Sequence, residues 1–544
     1  MKIPVTILND NKTVEIEQGS SLVQLAKARG DGTLVASVNN EICDLTMPIN
    51  YPSKVRFFNI HSSAGIRSYR NSAMTIMLMA ASRVLGKDER IWVEHTVNMN
   101  FYCRNDGREL TKADLDAIKK EMRAIVAENL PFEKITVPVE RARAIFSEYG
   151  LEHRIKALQY VKTQIVEIYK VGNFYEYLYG PLVPETGCIT LFDLVEYNNG
   201  FILQFADPRK DNELLELKDY PKLCSIFSES GKWANIMQVD SAGALNEMIC
   251  SGKIGDLILV CEALHEKKIA AIADAITKNE KKVILVAGPS SSGKTTFAKR
   301  LGVQLRVNGK TPQLISLDDY YFDKDKIEPD ENGQKNFENL EAIDVALFNE
   351  NLLDLLEGKT VQLPEFNFLT GKRQPGRTIS LGERDVLIIE GIHGLNPKLT
   401  NELPEEKVYR VYISALTQLN LDEHNRISTT DTRMLRRMVR DFRTRGFDAA
   451  DTISIWPMVS KGEEENIYPY QENADVIFNS SLVYELCVIK TLVEPVLFRV
   501  PCESEEYPEA NRLLKFLNSF LPLNTDLIPI NSLLREFVGG SCFK

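Results

Sequence analysis

The first 60 residues alternate between apolar and polar positions, and this period of two predicts β-strands. The pattern predicts strands at residues 2–8, 12–17, 34–38 and 54–59, with a short helix at residues 22–28. We expect a serine of the preceding Gly19-Ser20-Ser21 run to cap this helix. Two strands, a helix and further strands follow the order of a β-grasp fold, which we predict for residues 1–60.

Residues 61–220 combine helical and extended patterns. Helical periodicity covers residues 68–85 and 111–128, whereas residues 91–102 and 189–205 alternate in the manner of strands. This mixture predicts an α+β domain. Residues 221–280 have a helical pattern, clearest at residues 262–278, and we interpret them as a helical connector.

From residue 281 to residue 501, predicted strands alternate with predicted helices. This alternation is typical of an α/β domain with a doubly wound parallel sheet. The remaining segment, residues 502–544, contains three prolines around one predicted helix at residues 510–520, and we interpret it as a C-terminal tail.

Composition and charge exclude several classes of protein. No run reaches the roughly 18 apolar residues of a membrane span, and the N-terminus lacks a signal-peptide pattern, so we expect a cytoplasmic protein without membrane contact. The net charge of −11 argues against broad binding to nucleic acid. The nine cysteines are scattered without a Cys-x-x-Cys pair, which argues against a disulfide framework or a zinc ribbon.

A glycine- and serine-rich loop separates a strand pattern at residues 281–287 from a helical pattern at residues 296–307. Glycines let backbone N–H groups curl around phosphate oxygens, and the start of a helix adds positive potential. The loop therefore predicts a nucleoside-triphosphate site. The expected ATP contacts are Gly288, Ser290, Ser291, Ser292, Gly293, Lys294, Thr295 and Thr296.

Within this loop, Lys294 is expected to reach the β- and γ-phosphates as a catalytic residue, and the Thr295 hydroxyl to bind Mg²⁺. Two later strand patterns end in carboxylates. Asp318 follows residues 313–317 and is predicted to accept a proton from an attacking hydroxyl or to hold a metal-bound water, although an Asp-Asp helix cap is the structural alternative. Glu390 ends the strand pattern that begins at Asp385 and is apolar at residues 386–389, and it is predicted to complete the Mg²⁺ site.

Six arginines lie between positions 433 and 445, and they reverse the charge of an acidic chain locally. On a helix, residues 433, 437 and 440 share one face, as do residues 436, 440 and 443. Because the planar guanidinium group suits phosphate oxygens, we predict a helical lid over the transferring phosphoryl group. A basic helix that is only solvated, or that contacts RNA, is the alternative.

These motifs, in this order, resemble the uridine kinase/phosphoribulokinase family of P-loop kinases over about residues 281–500. The resemblance includes the run Asn336-Phe-Glu-Asn-Leu-Glu-Ala-Ile-Asp344 and the segment 358–368. It implies that Asp318 is the base on a nucleoside 5′-hydroxyl and that Arg440 and Arg445 hold phosphates together with Lys294. It also implies Thr295 and Glu390 as Mg²⁺ ligands, with Tyr321 and Arg437 close to the nucleoside.

Four positions depart from the pattern that the resemblance implies. Glu338 stands in place of an aspartate that binds ribose, and Phe366 in place of a tyrosine that packs on the base. Gly371 stands in place of a histidine that reads the pyrimidine, and Phe447 in place of an arginine. Because lost hydrogen-bonding groups usually change substrate choice, these departures affect the expected acceptor, uridine, and leave the prediction of phosphoryl transfer unchanged.

The front of the chain resembles threonyl-tRNA synthetase. Residues 1–60 are similar to its TGS domain, and residues 61–220 resemble its second, editing-type domain through the runs 110–122, 128–131 and 180–187. The histidine and cysteine positions of the editing pocket fall on Asn71, Thr75, Leu178 and Leu182. We therefore expect a catalytically silent domain and no aminoacylation.

The leading hypothesis is an ATP- and Mg²⁺-dependent kinase of a small hydroxylated acceptor, most simply a nucleoside phosphorylated at its 5′-hydroxyl. A kinase of another hydroxylated metabolite, such as a sugar phosphate, is the second hypothesis. The third is an RNA- or tRNA-associated regulatory protein that binds ATP, although contact with RNA is not expected. The family resemblance favours a homo-oligomer.

Overall fold

The computed structural model describes residues 1–86, 89–327, 337–367, 370–400, 403–417 and 419–543. Its first elements are β1 (Lys2–Ile7), β2 (Lys12–Glu17), α1 (Val23–Arg29), β3 (Val35–Val38), β4 (Glu41–Cys43) and β5 (Ser53–Phe58). The five strands form one sheet in the order β2-β1-β5-β3-β4, in which β1 and β5 are parallel and the other neighbours antiparallel. This is the β-grasp arrangement that the alternation predicted.

The predicted serine cap of α1 is wrong. Leu22 occupies the N-cap position, and neither Ser20 nor Ser21, both described, caps the helix with its side chain. The backbone of Ser20 is instead held in a β-bridge, where the Ile49 N–H donates to the Ser20 carbonyl at 3.0 Å. The sheet therefore fixes the chain just before the helix.

In the next segment, the described residues form two antiparallel sheets and four α-helices. Its elements are α2 (Ser63–Leu85), β6 (Arg90–Val97), β7 (Asn100–Asp106), α3 (Lys112–Glu128), β8 (Glu133–Pro138), α4 (Val139–Glu148), α5 (Glu152–Leu158), β9 (Ile165–Val171), β10 (Phe174–Glu176), β11 (Phe192–Tyr197) and β12 (Gly200–Phe205). The strand orders are β11-β12-β7-β6 and β10-β9-β8. The extended pattern at residues 91–102 is a hairpin rather than one strand, because Asn98 and Met99 adopt positive φ angles of 45° and 67° and reverse the chain.

Three helices follow, as the helical pattern predicted: α6 (Pro221–Met237), α7 (Ala242–Cys250) and α8 (Ile254–Lys278). The apolar face of α8, with Ile269, Ile272 and Ile276, packs into a hydrophobic cluster with Val286 of the sheet that follows it. The connector is therefore part of the core of the second half of the chain.

The second half contains one parallel sheet covered on both faces. Its elements are β13 (Val283–Ala287), α9 (Lys294–Val307), β14 (Thr311–Ser316), α10 (Val345–Leu356), β15 (Val361–Asn367), β16 (Lys372–Ile379), β17 (Asp385–Glu390), α11 (Pro397–Thr400), β18 (Val408–Ser414), α12 (Thr429–Thr444), α13 (Ala449–Asn466), β19 (Val476–Asn479) and α14 (Glu485–Leu497). The sheet order is β14-β17-β13-β18-β19, and all neighbours are parallel.

Alternate residues of the parallel strands explain the two covered faces. Ile284 and Val286 of β13 pack in one cluster with α8 and α9, whereas Val283 and Leu285 pack in another with α10. Strands that are buried on both faces read as continuous apolar runs, which is the pattern that predicted a doubly wound sheet. The antiparallel hairpin β15–β16 stands apart from this sheet.

The C-terminal segment is folded onto the helices of the second half. It contains α15 (Tyr507–Leu517), which begins three residues before the predicted helix, and the short α16 (Arg535–Val538). Leu513 and Phe537 share a hydrophobic cluster with Leu435 of α12 and Ile489 of α14. Among the described helices, none is both long and apolar enough to cross a membrane.

Candidate active site

The loop between β13 and α9 requires glycine at two positions. A Cβ atom on Gly288 would lie 1.9 Å from the backbone oxygen of Ile413 on β18, and Gly293 has a φ of +91°. The Lys294 ammonium group donates to the carbonyl oxygens of Gly288 and Pro289 at 3.0 and 3.2 Å. The lysine therefore reaches back across the loop, and the loop has the geometry expected of a phosphate-binding turn.

A carboxylate and two hydroxyl groups meet beside the loop. Glu390, the last residue of β17, accepts from the Thr295 hydroxyl at 3.2 Å and from the Ser316 hydroxyl at 3.3 Å. Burial and the charge of Asp318 raise the pKa of Glu390 to about 7, against the opposing charge of Lys294. Hydroxyl and carboxylate oxygens are ligands that a magnesium ion accepts, so the chemistry of Thr295 and Glu390 fits the predicted role.

The two neighbouring aspartates after β14 have different environments. Burial raises the pKa of Asp318, although the charges of Lys294, Arg445 and Arg440 oppose the shift. Asp319 accepts a hydrogen bond from the Phe366 backbone N–H at 3.2 Å and so ties β15 to this turn. Asp318 therefore faces the cationic groups of the site, while Asp319 has a structural contact.

The helical prediction for the arginine-rich run is confirmed, but two of its arginines are not part of a lid. Arg433 and Arg436 on α12 are buried and pair with Glu463 and Glu485. Arg433 donates to the Ser290 carbonyl at 2.9 Å, and Arg436 donates to the Ser291 carbonyl at 3.4 Å. Because α12 packs on the core, part of its surface is buried. These two guanidinium groups lie on that buried side and hydrogen-bond to the backbone of the loop.

Three other arginines of the run converge on a single buried carboxylate. Asp441 accepts from Arg437 Nε at 3.2 Å and from Arg440 Nε at 2.7 Å, and Arg445 Nε lies 3.7 Å from it. Arg437 also donates to the Ser290 hydroxyl of the loop at 3.0 Å. One negative charge thus orients three positive ones beside the phosphate loop, and the sequence had assigned no role to Asp441.

The residues that we expect to contact the acceptor follow Asp318 in the fold and pack against one another. The Tyr321 hydroxyl donates to the Phe337 carbonyl at 2.9 Å, and its ring packs edge-on against Phe337 and Phe366 at centroid distances of 5.4 and 5.7 Å. Burial and the charge of Glu463 raise the pKa of Glu338 to about 7. Tyr321, Phe366 and Glu338 therefore lie together, with the tyrosine hydroxyl engaged by the backbone.

The hairpin explains one departure from the resemblance. Gly371 lies in the turn between β15 and β16 with a φ of +68°, a conformation that favours glycine. Its carbonyl accepts from the Lys324 N–H at 2.7 Å. Phe447, another departure, is exposed after Gly446. Asn336 and Phe368, which contributed to the resemblance, lie outside the described residues.

Sequence reasoning missed three further residues at this site. Glu463 of α13 accepts from the Ser290 backbone N–H at 3.2 Å, and Glu536 of α16 accepts from the Thr296 backbone N–H at 3.0 Å. His393, fully buried after β17, has its pKa lowered to about 4 by burial and by the charge of Lys294. Glu463 and Glu536 are distant in sequence from the loop, and neither lies in a recognisable motif.

The positions that correspond to the editing pocket lie in the first half of the chain. Leu178 and Leu182 are buried in its hydrophobic cluster. The Thr75 hydroxyl donates to the Asn71 carbonyl one helical turn earlier at 2.9 Å. The aliphatic side chains at these positions thus contribute to packing.

The chain has relatives of two kinds, one for each half. Residues 283–485 match the Phosphoribulokinase / Uridine kinase family. A uridine kinase of Staphylococcus aureus is 31% identical over 196 residues, which is 36% of this chain and 86% of that protein.

Over the N-terminal region, the similar proteins are threonine–tRNA ligases. The ligase of Thermotoga neapolitana is 29% identical over 205 residues, or 37% of this chain. The ligase of Thermotoga maritima is 31% identical over 206 residues. This chain spans about a third, 32%, of the length of either ligase.

Two solved structures resemble part of the chain. A putative fructose transport system kinase from Silicibacter sp. TM1040 gives a TM-score of 0.29 at 16% identity and covers 39% of this chain and 98% of that one. A possible uridine kinase from Bacillus stearothermophilus gives a TM-score of 0.25 at 21% identity and covers 37% of this chain and 89% of that one.

Proposed function

Because the chain belongs to the phosphoribulokinase/uridine kinase family and is a P-loop kinase, we propose that it transfers the γ-phosphoryl group of ATP to a small hydroxylated acceptor. The simplest acceptor is a nucleoside phosphorylated at its 5′-hydroxyl. The observation that carries the proposal is the position of Asp318, a half-buried carboxylate that interacts with the charges of Lys294, Arg445 and Arg440. A base surrounded by cations is what attack of a hydroxyl group on a phosphoryl group requires.

Each residue has a defined part in the proposed step. Asp318 accepts the proton of the acceptor hydroxyl, whose oxygen forms the new bond to the γ-phosphorus while the bond to the β,γ-bridging oxygen breaks. Lys294, Arg440 and Arg445 neutralise the charge on the phosphoryl oxygens. Thr295 and Glu390 would hold Mg²⁺, which neutralises phosphate charge when bound. The products are ADP and the phosphorylated acceptor.

The side chains expected to contact the acceptor favour a substrate that contains a ring and hydroxyl groups. Phe366 and Tyr321 offer aromatic surface, and Glu338 offers a carboxyl group to a sugar hydroxyl. Gly371 belongs to a tight turn and offers no side chain for a base edge. A sugar phosphate is the second candidate acceptor. The three arginines around Asp441 carry more positive charge than this single carboxylate neutralises, and the excess favours an acceptor that already bears a phosphate.

The test is a screen of ADP release with nucleosides, sugars and sugar phosphates, each in the presence of ATP and Mg²⁺. We expect at least one acceptor to raise ADP release well above the rate with ATP alone, and the Lys294→Ala variant to lose this stimulation. If no acceptor stimulates ADP release and the chain instead binds tRNA tightly, the kinase proposal fails and an RNA-associated ATP switch replaces it.

A further inference from the structure

A cavity of about 3120 Å³ lies between the two halves of the chain. Its wall includes Arg70 from α2, Arg426 from the segment between β18 and α12, and Trp456 from α13. The phosphate loop, residues 288–296, does not contribute to this wall. The cavity therefore shares Glu463 with the candidate active site but does not include the phosphate loop.

Each of the two arginines lies over one ring of a contacting aromatic pair. The guanidinium carbon of Arg70 lies 5.8 Å from the ring centre of Phe205, and that of Arg426 lies 5.0 Å from the ring centre of Phe101. The two rings meet edge to face at 4.8 Å. Residues from both halves of the chain thus place two positive charges over one aromatic pair, and both arginines line the same cavity.

Neither guanidinium group has an anionic partner in the described part of the chain. The Nε and Nη2 atoms of Arg70 are buried and make no hydrogen bond to any described residue. The nearby carboxylates are already bound to other arginines: Asp207 to Arg209 at 2.9 Å, Glu464 to Arg209 at 3.5 Å, and Asp431 to Arg512 at 2.8 Å.

This concentration of charge is unfavourable without a counter-ion. Burial and the charge of Arg426 lower the pKa of Arg70 to about 10, and burial lowers the pKa of Arg426 to about 10. Burial and the same Arg426 charge lower the pKa of His95 to about 3, so this neighbouring imidazole is neutral and adds no third charge. Charges that are withdrawn from water are normally paired, so two half-buried guanidinium groups without a bound carboxylate, both lining one cavity, favour an anion-binding site.

We propose that Arg70 and Arg426 bind the phosphate group of a small phosphorylated metabolite in this cavity, at a site distinct from the phosphate loop. A phosphate dianion matches two positive charges, and its oxygens can accept from the planar forks of both arginines. The cavity also has room for the rest of such a molecule, because ligand sites usually enclose about 300–1,000 Å³. The site requires both halves of the chain, since each supplies one arginine.

The test uses inorganic phosphate as the probe. The protein carries the Lys294→Ala substitution, because removing this lysine weakens phosphate binding at the phosphate loop. Thermal unfolding is compared in phosphate and in chloride at equal ionic strength and pH. We expect phosphate to raise the unfolding midpoint by about 2–4 °C, because a ligand that binds the folded state stabilises it. Adding Arg70→Met or Arg426→Met to this chain should remove the shift. The control is Arg104→Met, which removes an arginine of β7 that pairs with Glu94 of β6, and it should retain the shift.

Four results would overturn the proposal. The first is a phosphate shift that persists at full size in both the Arg70→Met and the Arg426→Met chains. The second is the absence of any phosphate shift in the Lys294→Ala chain. The third is an equal shift with acetate, which would indicate a carboxylate site. The fourth is marked destabilisation of Arg70→Met in chloride, since removing an unpaired charge should leave the phosphate-free protein at least as stable.

Discussion

Asp318 and Asp319 are identical side chains in adjacent positions with different contacts. Burial raises the pKa of both, but cations surround Asp318, whereas Asp319 accepts from the Phe366 backbone. Nothing in the dipeptide itself distinguishes a base from a structural carboxylate. The distinction comes from what the turn after β14 places around each side chain.

This difference predicts opposite results for two matched substitutions. Asp318→Asn should lower kcat by about 10² to 10⁴-fold, because the acceptor hydroxyl loses its base. Asp319→Asn should retain most of the activity, since its amide oxygen can still accept from Phe366. The measurement is steady-state ADP release with the acceptor found in the screen. Full turnover by Asp318→Asn would show that the base has been assigned wrongly.

The proposed role of Glu390 as a Mg²⁺ ligand predicts that metal binding depends on pH. Its pKa of about 7 means that a proton competes with the metal near neutrality. Mg²⁺ should therefore bind about tenfold more tightly at pH 8 than at pH 6. Conversely, the raised pKa values of Glu390 and Glu338 stabilise the metal-free protein below about pH 4.5, and this contribution is lost as pH rises through about 7.

Calorimetric titration of Mg²⁺ at the two pH values measures this dependence. The Glu390→Gln variant is the control, because an amide does not titrate, and its weaker binding should vary little with pH. Equal affinity of the unmodified protein at pH 6 and pH 8 would contradict the prediction.

At the scale of elements, the phosphate loop is held by helices that come from distant parts of the sequence. Arg433 and Arg436 of α12 bind its carbonyl groups, Glu463 of α13 binds its Ser290 amide, and Glu536 of α16 binds the Thr296 amide at the start of α9. An amide at a helix start is a favoured position for a phosphate. The carboxylate of α16 therefore occupies a position that a bound nucleotide would also favour.

The contact of α16 predicts a gain of ATP affinity on substitution. Glu536→Gln removes a negative charge beside the expected phosphate position, so ATP should bind about three- to tenfold more tightly, measured by titration in the absence of acceptor. Glu503→Gln, an exposed residue of the same C-terminal segment, should leave affinity unchanged. Unchanged or weaker ATP binding in Glu536→Gln would mean that the glutamate does not oppose the nucleotide.

The pair between α12 and α13 predicts a loss of stability. Glu463→Gln leaves the buried Arg433 without its counter-charge, and breaking a buried pair in this way typically costs about 3–5 kcal/mol. The urea midpoint should fall, and the KM for ATP should rise because the loop loses its brace. Glu465→Gln, close by on α13 but exposed, is the matched control.

At the scale of the whole molecule, the two halves are joined by a buried ionic network. Arg154 of α5 donates to Asp422, from the segment between β18 and α12, at 3.0 and 3.3 Å, and it also pairs with Glu176. Glu176 in turn accepts from His424 at 2.8 Å if the imidazole Nδ1 carries the proton. Contacts of this kind fix the orientation of one half against the other, and the Arg70–Arg426 cavity lies along the same boundary.

Removal of the central cation should loosen this boundary. Arg154→Met leaves two buried carboxylates without their partner, and we expect a loss of about 3–5 kcal/mol of stability. Hydrogen exchange should increase first in α5 and in residues 419–427. The exposed Arg141→Met on α4 should change neither quantity. Unaltered exchange at residues 419–427 would indicate that the network does not join the halves.

The sequence alone predicted much of this protein. Period-two alternation predicted the first sheet, apolar runs predicted the parallel sheet, and the loop at residues 288–296 predicted phosphate binding, because each depends on neighbouring residues or on one backbone conformation. It did not reveal that Arg433 and Arg436 are buried, that Ser20 is held by Ile49, or that Arg70 and Arg426 line one cavity. These depend on contacts between distant segments. Local periodicity carries no record of such contacts, and only the tertiary structure decides which charges are paired and which are left to bind an anion.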